Sequence, residues 1–383
     1  MNDPRATGGT LFSCLAASQA AVLVLTPVLA AAASDLGVST AAAGQLRTVS
    51  GLSAGATALA IGFLAARVGL RELLIAGLAL LAAGAGLSGL ATEFAVIAAA
   101  QLLIGAGVGL SYSAGLAGVA EWTRPDERSR VLSIALLGPP LAWVFAMPIC
   151  GVLGDVSWRL AWIVPLAAAV ASLAVVVRRK RTPPAPVRAG LRAVLGQPGV
   201  LRWSTGELLA YSAWAGALVF VGALFVETYG LSLSATGLVL GAAALVYVPG
   251  NVVFRRFVDD HGRTLLVTLA LGAAAAVAVL GTIRPSAWFS FAVFSLLAFL
   301  AGGRTLAGSA RGLDLAPALR LGVTGVRTAA IQLGYFVGAA VGGVALAAGD
   351  YPALGLAFAA LFVAAAVPHL LPQPAESPSP LLP

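Results

Sequence analysis

Twelve long apolar runs separated by short polar segments dominate the pattern of this chain. They fall near 10–33, 41–66, 72–92, 95–120, 131–154 and 160–177, then 203–226, 235–257, 264–283, 286–310, 320–347 and 352–371. An α-helix crosses a bilayer in ~20 apolar residues, and these runs match that length. None alternates with a period of two, and lipid leaves only helices or closed barrels as spanning structures. The runs therefore read as transmembrane helices, six on each side of one hydrophilic stretch. The first run is longer than a signal-peptide core of 7–15 residues, so it reads as an uncleaved helix.

The pattern divides the chain into a six-helix bundle over 1–177, a basic linker over 178–202, a second bundle over 203–371 and a disordered proline-rich tail over 372–383. The hydrophilic stretch runs to Trp203. It opens on Arg178, Arg179, Lys180 and Arg181, and Pro183, Pro184 and Pro186 bar a helix behind them. A short amphipathic helix at 189–195 is expected to lie on the membrane surface.

Composition sharpens the class. Apolar residues make up 60% of 383, charged residues only 10%, and mean hydropathy is +0.96. A soluble chain carries about a quarter charged residues, so lipid is the solvent here. The net charge of +8 then belongs to membrane loops and gives no reason to expect nucleic acid. With the N-terminus inside, 18 of the 23 lysines and arginines fall in inner segments. Only Arg159 and Arg284 lie outside, while Arg47, Arg304 and Arg327 lie within spans. This bias puts both termini in the cytoplasm. Cys14 and Cys150 fall in spans near opposite faces, so neither a disulfide nor a metal site is expected.

An internal repeat is visible at a shift of 193 residues, which carries Gly37, Ser39, Gly44 and Gly69 onto Gly230, Ser232, Gly237 and Gly262. Six spans per half make such repeats parallel, related by an axis along the membrane normal.

These features and their motifs resemble the major facilitator superfamily of secondary transporters. Gly62, Leu64, Ala65, Arg67, Gly69 and Arg71 fit its loop after the second helix, with Ala66 where the family has aspartate. Arg256, Asp259, Gly262 and Arg263 form the second copy, which keeps the aspartate. Glu121 and Pro125 to Arg128 resemble the loop after the fourth helix, and Trp158-Arg159 the opening of the sixth. Gly138-Pro139-Pro140, Met147-Pro148 and Gly151 are most like the twelve-helix drug:proton antiporter branch. Gln101 stands where that branch has an arginine.

The resemblance implies an all-α major facilitator fold in a bacterial inner membrane, working as a monomer by alternating access. It implies proton-coupled efflux of a small organic molecule. The alternative is uptake or uniport of an anion or metabolite without a proton-carrying carboxylate. No cofactor is implied. A receptor on the same scaffold is a further class, but would normally carry a signalling domain. An enzyme is not expected, because His261 and His369 lie at span ends and no nucleophile–base pair sits inside a span.

Candidate residues follow from polar and aromatic side chains within spans. Glu207, Tyr211 and Trp214 share one helix face at i, i+4 and i+7. Gln19, Thr26, Tyr112, Trp143, Met147, Tyr247, Asn251, Gln332 and Tyr335 complete the expected cavity. Glu207 is the one carboxylate well inside any span, and it is expected to pair with Arg304 or Arg327 and to couple transport to protons. An unpaired arginine there would favour an anionic substrate. Gly62, Arg67, Gly69, Arg71, Asp259, Gly262 and Arg263 are expected to gate, with Asp259 held by Arg263, another arginine or a helix N-terminus. Glycine stripes at 44, 51 and 55 and at 334, 338 and 342 are expected to pack helices closely, and at the interface to let the halves rock. The three prolines of the fifth span should bend it.

Overall fold

The computed structural model describes residues 3–371 apart from 125, 182–183, 185–190 and 317–318, and leaves aside the side chains of residues 62, 129, 259, 260, 320 and 321. All regular structure among the described residues is helical. The first half contains α1 (Pro4–Leu23), α2 (Leu25–Asp35), α3 (Thr40–Ala65), α4 (Leu70–Leu90), α5 (Phe94–Trp122), α6 (Arg128–Ala135), α7 (Gly138–Val156), a 3₁₀ turn (Trp158–Trp162) and α8 (Ile163–Val177). A short α9 (Leu191–Leu195) precedes α10 (Val200–Tyr229), α11 (Leu233–Thr282), α12 (Ala287–Leu315) and α13 (Arg320–Leu370).

Ten segments have the length and hydropathy of a membrane span. The last, Gly322–Leu370, is 49 residues long and holds two crossings, and the 26 residues of α3 supply one more. Twelve crossings result. α11 turns at His261, and α13 turns at Gly349 and Asp350, where Asp350 takes a φ of 58°.

Breaks occur where backbone hydrogen bonds are lost. Pro27 has no N–H to offer Leu23, and the first span divides into α1 and α2 just before it. The fifth span divides at Leu136 and Leu137, and α7 restarts with prolines in its first turn. The linker differs from expectation at its end. The seventh span starts at Val200, after Gly199 at φ 80°, and Trp203 is buried inside it. α9 is not simply laid on lipid either: buried Val194 packs with Trp203 and Val323, because its apolar face finds the foot of the second half. Residues 189–190 and the tail from 372 lie outside the described residues.

The repeat is visible in backbone detail. Gly37 and Gly230 both take a φ of 66°, a left-handed value that closes the preceding helix without a side-chain clash. Ser39 accepts from the N–H of Ala42 at 3.1 Å, and Ser232 from that of Ala235 at 3.1 Å, so equivalent serines cap equivalent helices. The bundles also share a device that does not keep this register, the arginines lying one residue out of step: Arg71 donates to the carbonyl of Val177 at 2.6 Å, and Arg263 to that of Leu370 at 2.9 Å. Each arginine thus satisfies orphan carbonyls at the end of its bundle's last helix.

The halves meet along α3 with α13, α7 with α11, and α2 with α10. Gly44, Gly51 and Gly55 abut Phe220, Phe336 and Leu333 of the second half. Gly334 and Gly338 abut α10 instead, and Gly342 meets Phe220 and Phe358, so that stripe packs within its own bundle. Towards the face opposite the linker, Gly222 lies against the carbonyl of Thr26, and Gly151 against that of Leu233. There too, Asp155 accepts from the N–H groups of Leu233 at 2.8 Å and Ser234 at 3.2 Å, an acidic cap across the two halves.

Candidate functional site

α10 carries the site on one stripe. Its foot is pinned where Trp203 donates to the carbonyl of Gly308 at 2.8 Å, and one turn higher Glu207 is fully buried. About 10 Å into the helix, this carboxylate cannot rely on water. Its Oε1 accepts from Arg304 of α12 at 2.7 Å, and its Oε2 from Arg327 of α13 at 3.2 Å. Both arginines named as candidate partners therefore hold it at once.

The second arginine contacts extend the network. Arg304 donates to the carbonyl of Gly206 at 2.9 Å. Arg327 donates to the hydroxyl of Tyr211 at 2.9 Å and to the carbonyl of Thr305 at 3.1 Å. Tyr211 and the Thr305 hydroxyl share a further bond at 3.1 Å. Gly308 leaves the room this requires, since a Cβ there would overlap the Glu207 carboxylate. Side-chain exposure separates the arginines: 4% for Arg304 and 18% for Arg327. Arg304 belongs to the packed interior, while Arg327 has the freer outer edge.

One turn beyond Tyr211, Trp214 joins an aromatic group. Its ring lies 6.2 Å from Trp143, 6.0 Å from Tyr247 and 6.1 Å from Phe294, with Met147 lining the same recess. Gln19 accepts from the Trp143 indole at 3.4 Å. Tyr112 of α5 is half-buried and packs within the first bundle against the cluster of Leu11, Leu15 and Val119. The site therefore has a charged floor and an aromatic wall, shared between the halves by Trp143 and Gln19.

Other candidates go elsewhere. Asn251 returns its amide to the carbonyl of Tyr247 on its own helix, at 3.3 Å, and so is not brought into the network. Gln332 and Thr26 are buried, and Thr26 serves the contact with Gly222. Gln101 reaches Ser88 at 3.4 Å within the first bundle. Tyr335 of α13 lies beneath the guanidinium of Arg47 at 5.0 Å. Arg67 stacks over Phe63 at 4.0 Å and Arg71 pairs with Glu72 at 3.1 Å. Gly69 caps α4, and Gly262 has open space around it. Gly62 beyond its backbone and the side chain of Asp259 lie outside the described residues, and Arg263 caps the last helix.

Sequence reasoning missed Thr305, Gly206 and Gly308. Gly308 and Gly312 follow Arg304 at i+4 and i+8, a small-residue face under a charge that signals close approach. His369 stands at a span end, and its Nε2 is buried beside Gly206 without a hydrogen-bond partner.

Comparison with known proteins agrees with this architecture. The family profile described as Major Facilitator Superfamily matches residues 11–206 and 203–383. The chain is 26% identical to the transcription regulatory protein OpdE of Pseudomonas aeruginosa over 403 aligned residues, 96% of this chain and 92% of that one. Among solved structures, a bacterial homolog of the human lysosomal transporter Spinster, inward-facing and unoccupied, matches with a TM-score of 0.79. It is 15% identical and each chain is covered to 96%. A D-xylose-proton symporter matches with a TM-score of 0.73 and 17% identity, each chain covered to 97%.

Proposed function

The chain belongs to the Major Facilitator Superfamily, a multi-pass membrane family of secondary transporters, and on that premise we propose that it exports a small organic molecule in exchange for protons. Glu207 is the proton-carrying group in this reading. The observation that carries it is a fully buried carboxylate, the one buried acid among the described residues, held by two arginines from two other helices. A proton on Glu207 neutralises its charge and weakens both bonds. Arg327, the more exposed partner, is then free to leave with Tyr211 and Thr305, which ties the protonation state to the packing of α10, α12 and α13. Transport follows when substrate and proton favour different arrangements of the halves.

The direction and setting belong to the same proposal. The basic segments favour a bacterial inner membrane with the linker and both termini in the cytoplasm. The proline-glycine fifth span resembles that of exporters. The fold likeness includes a protein named for proton coupling, the D-xylose symporter. The protein works as a monomer with lipid as its surroundings.

A second reading is anion uptake or uniport without a proton-carrying carboxylate. Two guanidinium groups facing one carboxylate favour it, because they leave one positive charge unbalanced in the network. Everted vesicles from cells with and without the protein separate the two. Export coupled to protons dissipates a pH gradient when substrates from a panel of toxic organic compounds are added. Uptake into right-side-out vesicles with no proton movement would replace this reading with the second.

A further inference from the structure

Arg47 lies outside the Glu207 network. It sits two turns into α3, is 3% exposed, and belongs to the first half. Its Nε and Nη1 are buried without a hydrogen-bond partner. The group facing it is the ring of Tyr335, from α13 of the second half, 5.0 Å from the guanidinium carbon. No carboxylate pairs with it among the described residues, whereas Arg304 and Arg327 both pair with Glu207. A cation–π contact contributes about 0.5–2 kcal/mol, less than the several kcal/mol that desolvating an ion costs.

The wider charge balance points the same way. Three arginines well inside the spans, Arg47, Arg304 and Arg327, are balanced by one buried carboxylate, Glu207, which leaves a surplus of two positive charges. Through Tyr335, Arg47 meets α13, the helix that also carries Arg327 of the Glu207 network. Tyr335 is the next residue after Gly334, whose Cα lies against Tyr211 of the Glu207 network, and Tyr211 is one turn below Trp214 and the aromatic wall.

We propose that Arg47 is the binding site for an anionic group on the transported molecule, so that the substrate class is organic anions with an apolar body. The carboxylate, sulfonate or phosphate oxygens bond to the free Nε and Nη edge of Arg47, and the apolar body lies towards Trp214 and Tyr247. Because Arg47 and Tyr335 come from opposite halves, an anion bound there contacts the interface that rearranges during transport. This inference rests on the transporter reading but is independent of direction and of Glu207.

The test uses full-length protein in lipid nanodiscs and matched probes: benzoate, hexanoate, benzenesulfonate and phenyl phosphate, with benzamide, hexanamide and benzenesulfonamide as uncharged counterparts. Tryptophan emission and thermal unfolding are read for wild type, Arg47→Gln and Arg47→Lys. At least one anion should give a saturable response and raise the unfolding temperature, while its uncharged counterpart does not. Arg47→Gln should weaken that response at least about tenfold, and Arg47→Lys less. Without ligand, Arg47→Gln should unfold no earlier than wild type, since it removes an unpaired buried charge. A sharp fall in ligand-free stability would mean that Arg47 serves packing, and would overturn the proposal. So would equal responses to charged and uncharged probes, no saturable response to any anion, or an unchanged response in Arg47→Gln. Failure of the transporter reading looks different: saturable, Arg47-dependent anion binding with no flux of the bound anion into proteoliposomes.

Discussion

Glu207 shows how much a single buried carboxylate can organise. Each of its oxygens has its own arginine, and each arginine spends further donors on backbone or hydroxyl groups. Breaking a buried pair by removing one partner costs about 3–5 kcal/mol, because the other charge stays buried. Arg304→Gln should therefore destabilise the protein by about that amount in thermal unfolding. Arg327→Gln should cost clearly less, since that side chain is 18% exposed and water can reach part of the vacated edge. Equal losses would contradict the division between a packed and a freer arginine. Gly308→Ala should also be costly despite its small size, because the new methyl occupies the place of the carboxylate. Its expected signature is lost transport with Arg304 and Arg327 intact, and normal transport by this variant would show the space to be slack. The three charges were legible in the sequence because charges inside spans are expensive and rare. The groups that complete the network were not. Thr305 looks like any helix hydroxyl, and the carbonyl of Gly206 has no sequence signature.

Helices carry the repeat, and the equivalences lie mainly at helix ends. Gly37 and Gly230 close equivalent helices, and Ser39 and Ser232 start them. Glycine and serine at such positions are readable because few residues tolerate the backbone or supply the cap. The carbonyl partners of Arg71 and Arg263 were not readable, since nothing in a sequence says which helix end an arginine reaches. The ion-pair site breaks the repeat. Shifting Glu207, Arg304 and Arg327 back by 193 residues gives Cys14, Ser111 and Ile134, so the first half has no equivalent charges. The glycine stripes illustrate a related limit: the pattern on α3 and α13 is alike, yet one faces the other half and one its own. At the crossing of α2 and α10, Gly222→Leu would drive a side chain into the carbonyl of Thr26. It should prise open the face opposite the linker, measured as faster labelling of a cysteine placed at Thr40 by a membrane-impermeant maleimide. Unchanged labelling would mean that this crossing does not seal that face.

At the scale of the molecule, the linker and the arginine-rich ends define one face, and the Asp155 and Gly222 contacts the other. The orientation proposed above puts the linker face in the cytoplasm. In a protein whose own cysteines, Cys14 and Cys150, are buried, Arg192→Cys should resist impermeant maleimide on intact cells, while Ser286→Cys should react. The reverse pattern would invert the molecule. Twelve crossings and their approximate limits could be read from hydropathy alone, because lipid imposes helix length. Which helices from the two halves touch could not, because the side chains at those crossings are small and apolar everywhere.

The central claim, that protonation of Glu207 drives transport, is tested most directly by flux in proteoliposomes under an imposed pH gradient. A substrate found by the compound panel should accumulate against its gradient with wild-type protein. With Glu207→Gln it should exchange across the membrane but fail to accumulate, whatever the pH difference. Accumulation by Glu207→Gln equal to that of wild type would contradict the account.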